Sequence, residues 1–155
     1  MKTKTFLAAI LLCAALFSGC RKDMSGKFIG SYSFKISGDI SMLADGDTLK
    51  LKLVPEQGQM HIVSDRGEEG RVKVTFDNLL GDAFITGGYV SGHTLTLDPY
   101  AEKTVYCQET IIQIPIRVIF SGSGEKYDDM LLMEMEYEGE DIVDSDVRCV
   151  AQYND

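Results

Sequence analysis

Four cysteines, two histidines and 24 carboxylates are the groups of this 155-residue chain that could carry chemistry. Their spacing narrows what that chemistry can be. His61 lies in an alternating run and His93 beside a turn glycine, and no His-x-His or Cys-x-x-Cys spacing gathers ligands, so no metal site is expected. A Gly-x-Ser-x-Gly elbow is missing, as is a glycine-rich phosphate loop followed by Lys-Ser or Lys-Thr. Ser121-Gly122-Ser123-Gly124 reads as a flexible connection. No catalytic residue and no cofactor are expected, and the role anticipated is non-enzymatic.

Acidity is the most uneven feature. Between Glu125 and Asp146 stand ten acids with Lys126 as the only base, and Glu134, Glu136 and Glu138 point one way if their segment is a strand. Such a face suits a cation or a basic partner. It also suits a solvated outer wall paired with Lys50, Lys52, Arg71 or Lys73. The second reading is expected, because Glu138 to Asp144 lacks calcium-loop spacing. A formal charge of −9 argues against a nucleic-acid surface, which needs clustered Lys and Arg.

The start of the chain is of a different kind. Lys2 and Lys4 precede an uncharged run from Phe6 to Phe17 that is too short to span a bilayer, and the small pair Ser18-Gly19 follows. This pattern is an export signal. With Cys20 next, the stretch Leu16-Phe17-Ser18-Gly19-Cys20 resembles a bacterial lipoprotein signal. The resemblance implies removal of residues 1–19 and acylation of Cys20 with chains such as palmitate. Residues 20–26 then form a short membrane tether and residues 27–155 a single domain. Arg21, where an aspartate resembles an inner-membrane retention signal, points to the outer membrane. Lys22-Asp23 faintly resembles a surface-export signal, so the periplasmic and cell-surface sides both stay open.

Export leaves Cys107 and Cys149 in an oxidising compartment. Each is in phase with apolar neighbours (Val105 for one, Val147 and Ala151 for the other) that should face inward. A disulfide between them is expected, stabilising by roughly 4 kcal/mol in the chain-entropy model. The other reading is two buried thiols acting as small hydrophobes.

From Lys27 onward the hydrophobic period is two. Phe28, Tyr32, Phe34 and Ile36 share a face with Gly30. Leu49, Leu51 and Leu53 alternate with lysines, and Pro55-Glu56-Gln57-Gly58 reads as a turn. Strands follow near 60–64, 72–76, 83–90, 94–98, 103–109, 111–120, 131–138 and 147–153, with Pro115 marking an edge or bulge. Only residues 37–47 and 121–129 are long enough to cross between sheets. The expected fold is therefore all-β, an antiparallel meander of about 8–10 strands closing into a barrel, with a β-sandwich as the alternative.

Phe28-Ile29-Gly30-Ser31-Tyr32 resembles the glycine-x-aromatic start of the calycins, the lipocalin and avidin-like barrels. The run from Phe84 to Gly92, with Leu95 and Leu97, resembles hairpins of small calycin-like bacterial lipoproteins. The resemblance implies a barrel with an internal pocket and nothing finer. If the barrel is hollow, its mouth or lining draws on inward aromatics such as Tyr32 and Phe34, and the expected role is a binding module for a small apolar ligand. An accessory subunit or inhibitor of a cell-envelope complex, presenting Tyr100 and Tyr127, is the alternative.

Overall fold

The computed structural model describes residues 25–78, 83–109 and 112–155. Residues 1–24, which hold the expected leader, Cys20 and most of the expected tether, lie outside the described residues. After a 3₁₀ turn at Ser25–Lys27 the described residues form nine strands: β1 (Gly30–Ala44), β2 (Asp47–Leu53), β3 (Glu56–Ser64), β4 (Arg71–Asn78), β5 (Ala83–Ser91), β6 (Thr94–Glu109), β7 (Ile112–Tyr127), β8 (Met130–Glu138) and β9 (Ile142–Tyr153). All pair antiparallel in one sheet, and the pairing returns on itself because β1 also joins β9. Alternation is what builds this. Even-numbered residues of β3, β4 and β5 and odd-numbered residues of β8 form buried rows, and Tyr32, Phe34 and Ile36 do the same in β1.

The two stretches nominated as crossings are strand instead. Residues 37–44 continue β1, and 121–127 continue β7. The segments 94–98 and 103–109 also merge into one strand, β6, with register shifts around Tyr100. Without long crossings the chain runs as a meander. Pro115 falls where β7 has β6 as its only neighbour among the described residues, since β8 pairs with β7 from Ile119 onward.

Pro55 does not turn the chain. β2 and β3 lie end to end along the same edge of β1, with Lys52 opposite Asp39 and Glu56 opposite Ile36. The break at Val54–Pro55 places one extra residue on that side and forks the edge. β3 goes on to pair β4, while β2 leans the other way to pair β6 through Lys52 and Leu53. A proline suits this point because it has no N–H to leave unpaired. The Val54 N–H, one residue earlier, donates to the Tyr106 carbonyl at 2.7 Å.

The walls differ in height. β1, β6 and β7 run 15 or 16 residues, whereas β3, β4 and β5 run eight or nine. At one end the 3₁₀ turn closes the interior, with Ser25 and Phe28 buried and the Tyr32 hydroxyl donating to the Phe28 carbonyl at 2.8 Å. Ser25 is thus already part of the folded body. The short wall stops about six residues, roughly 20 Å, from that end. Closure is incomplete there, because β5 meets β6 only over Gly88–Ser91.

Candidate functional site

The gap lies where the short wall ends, between the β2–β3 fork and β6. Four inward-phase side chains meet in it. Glu56 opens β3 ahead of Gly58, Met60 and Ile62, and Asn78 ends β4 after Val72, Val74 and Phe76. Phe84 heads the inward row of β5, and Lys103 precedes Val105 and Cys107 in β6. Each extends a buried row by one step, to where the ring is no longer closed. Lys103 Nζ donates to Glu56 Oε2 at 2.6 Å, with both side chains nearly nine-tenths buried (11% and 12% exposed). Asn78 Nδ2 donates to the same oxygen at 3.1 Å. The other oxygen, Oε1, is shielded and has no hydrogen-bond partner among the described residues.

Aromatic rings surround the ion pair. Lys103 Nζ lies 4.6 Å from the Phe84 ring centroid and 5.5 Å from that of Phe120. Phe84 stacks on Phe76, and Tyr100 sits tilted 5.5 Å from both Phe84 and Phe120. The pocket in front, about 260 Å³, is lined by Val54, Pro55 and Thr104 as well as Phe84, Tyr100 and Tyr106. Below it a staple spans the gap: Arg71 binds Asp98 through two nitrogens at 2.6 and 3.1 Å, and the Thr86 hydroxyl donates to the Asp98 carbonyl at 3.0 Å. Gly87 lies under this staple, where a Cβ would meet the Asp98 carboxylate.

Behind the ion pair the apolar interior holds a buried hydroxyl and two thiols. The Tyr137 hydroxyl is buried without a partner among the described residues, and burial, then the Glu56 charge, holds its pKa well above the ordinary value. Burial pushes the Cys149 thiol up to about 12 and raises that of Cys107. A thiol so disfavoured as thiolate is a poor nucleophile. The site can hold a ligand by stacking and hydrogen bonding.

The residues expected from sequence are placed otherwise. Tyr32 and Phe34 are packed core, Tyr32 edge-on to Tyr153 and Phe34 edge-on to Phe76, and neither lines the pocket. Cys107 and Cys149 are inward-facing as expected, but they are free thiols and the anticipated disulfide is not formed. Their strands do not neighbour each other: β7 and β8 intervene on one side, β2 and β1 on the other. Facing walls pack about 10 Å apart, beyond the roughly 7 Å that a disulfide can bridge.

The acidic strand is also partnered differently. Glu134 stands opposite Arg148, whereas Lys50 pairs with Asp39 and Arg71 with Asp98 and Glu68. His61 is exposed and bonded to Ser31, and no cluster of His, Cys, Asp or Glu suited to a metal occurs among the described residues. Sequence reasoning missed Glu56, Asn78, Phe84 and Lys103 as a group. The usable signal was a charged or amide residue in phase with an apolar row.

A larger hollow, about 560 Å³, lies over β7, β8 and β9 and includes the outward Tyr127, Leu132 and Val150. None of the buried unpartnered polar atoms belongs to its lining. No protein-family model matches the chain, and no curated protein is found similar to it.

Proposed function

We propose that this chain is a lipid-anchored, non-enzymatic binding module of calycin-like barrel type, seating a small ligand with an apolar body. The observation that carries the reading is the lateral pocket: an open aromatic-walled recess ending on a buried, mutually neutralised ion pair with an unused carboxylate oxygen. Pockets of this make-up, mostly apolar with a few convergent polar groups, are the usual seat of small molecules. The seat differs from the interior lining first expected, because the space around Tyr32 and Phe34 is filled by side chains. Acylation of Cys20 would hold the module at the outer membrane, on its periplasmic or cell-surface side, with Arg21 and Lys22 at the headgroups. Native mass spectrometry of protein purified from its own membranes tests the ligand. A stoichiometric adduct lost in Tyr100→Ala supports it, and a bare protein mass overturns it. Labelling with an alkynyl palmitate, absent in Cys20→Ala, tests the anchor.

A second reading, an accessory subunit or inhibitor in an envelope complex, draws on the outer wall. Tyr127, Leu132 and Val150 are exposed there within one groove, Leu132 directly opposite Val150 across β8 and β9. Leu132→Lys should abolish capture of a stoichiometric partner under that reading and leave the ligand adduct untouched.

A further inference from the structure

We infer that the lateral pocket selects a neutral, planar ring of one or two fused cycles bearing an N–H or O–H donor. This rests on the pocket being the binding seat and names the chemistry of its occupant. Size comes first. At about 260 Å³ the pocket falls just below the range that larger drug-like ligands occupy, so a compact ring system fits it. Shape follows from the walls, since Phe84, Tyr100 and Tyr106 line the pocket and aromatic rings pack against flat π-systems edge-on or offset.

Charge is decided by the ion pair. Glu56 and Lys103 already cancel each other at 2.6 Å. A charged ligand would bring an uncompensated charge against a pair that already cancels, which disfavours both carboxylates and amines. The donor requirement follows from the carboxylate. Lys103 and Asn78 both bind Oε2, while Oε1 accepts from nothing among the described residues. An ionised carboxylate is acceptor-only, so the group that completes it must donate. Oε1 is shielded as the side chain stands, but the last torsion of glutamate is soft and two-fold. A partial turn about that bond brings Oε1 toward the pocket, with Oε2 loosening its bond to Asn78 and keeping Lys103 as its donor.

Indole and benzofuran form the decisive pair of probes, alike in size and shape and differing in one N–H donor. Binding is read on the purified full chain from amide chemical shifts. Indole should move the signals of Glu56, Phe84 and Lys103 and bind roughly 10- to 100-fold more tightly than benzofuran, as expected for a hydrogen bond to a charged group. Equal binding of the two overturns the donor requirement and leaves the pocket as a binding seat. Tighter binding of benzoate or benzylammonium than of indole overturns the neutral class. Failure of every probe to move these signals overturns the inference together with the pocket reading. Glu56→Gln should erase most of the difference between indole and benzofuran. The wild-type comparison stands whether or not that variant folds.

Discussion

Glu56 and Lys103 show how one buried pair ties stability to the site. Each alone would be a charge with little water around it, and together they form a near-neutral unit bounded by Phe84 and Phe120. Lys103→Met strands the Glu56 carboxylate and should cost about 3–5 kcal/mol in urea unfolding, whereas Lys103→Met with Glu56→Leu should recover most of it. Recovery of less than half in the double variant would mean that the pair contributes through more than mutual neutralisation. A second residue-scale prediction concerns alkali. Burial, then Tyr153, pushes Tyr32 up to about 12, burial pushes Cys149 up to about 12, and Tyr137 is held well above its usual value. The folded chain keeps protons that an unfolded one releases near pH 8.5 (Cys) and about 10 (Tyr), so stability falls as pH rises. The contribution of these three groups should be constant below about pH 8 and fall progressively toward pH 12. Absorbance of tyrosinate at alkaline pH should show two tyrosines appearing only with unfolding; their titration in the folded protein would count against this.

At the scale of elements, period-two alternation made most strands legible, because one buried face leaves an unmistakable row. It failed where glycine and serine imitate a linker. Ser121-Gly122-Ser123-Gly124 has the composition of a loop, yet it is the middle of β7, and its two glycines face inward. The reason lies on β8. A Cβ at Gly122 would stand 2.8 Å from the Glu134 carbonyl oxygen and 2.9 Å from Met135 Sδ, and one at Gly124 would strike the Leu132 carbonyl. These glycines make room for Met133 and Met135, which no local reading of β7 could reveal. Gly124→Ala should therefore destabilise by about 1–3 kcal/mol, with the largest amide shifts in β7 and β8. The site was hidden for a related reason. Glu56 resembled part of a turn because of Pro55 and Gly58, and Lys103 lies 47 residues away on a strand that only the fork brings near. The expected disulfide fits the same pattern. Inward phase was read correctly for both cysteines, but phase does not say which strands face each other. Alkylation of the denatured, unreduced protein should modify both Cys107 and Cys149, and a linked peptide would contradict the free thiols.

For the whole molecule, the decisive contact joins the first strand to the last. β9 pairs with β1 from Tyr32 to Met42 on one edge and with β8 on the other, so it is a central strand although it comes last in the chain. The end of the ring beside the 3₁₀ turn is bound together as well. Lys126 donates to the Lys27 carbonyl at 2.9 Å and lies 4.6 Å over the Tyr153 ring, and the Asn154 N–H donates to the Ser31 carbonyl at 2.9 Å. The opposite case is the first part of β7, where β6 is the only neighbour among the described residues and Pro115 is already accommodated. The Tyr106 carbonyl turns away from β7 to accept from Val54, so the backbone N of Pro115, facing Tyr106, points away from β6. Gln113 has the same parity, and its N–H likewise faces the open edge. Two proline substitutions therefore separate ring closure from strand propensity. Val150→Pro, with Lys35 on one side and Leu132 on the other, removes a ladder donor in a central strand and should cost about 3 kcal/mol or more. Gln113→Pro should cost less than about 1 kcal/mol, since it removes no ladder bond. Chemical denaturation followed by far-ultraviolet circular dichroism measures both. Equal losses at the two positions would mean that the β1–β9 seam is no more important to stability than an open edge, and that the sheet holds together without its closure.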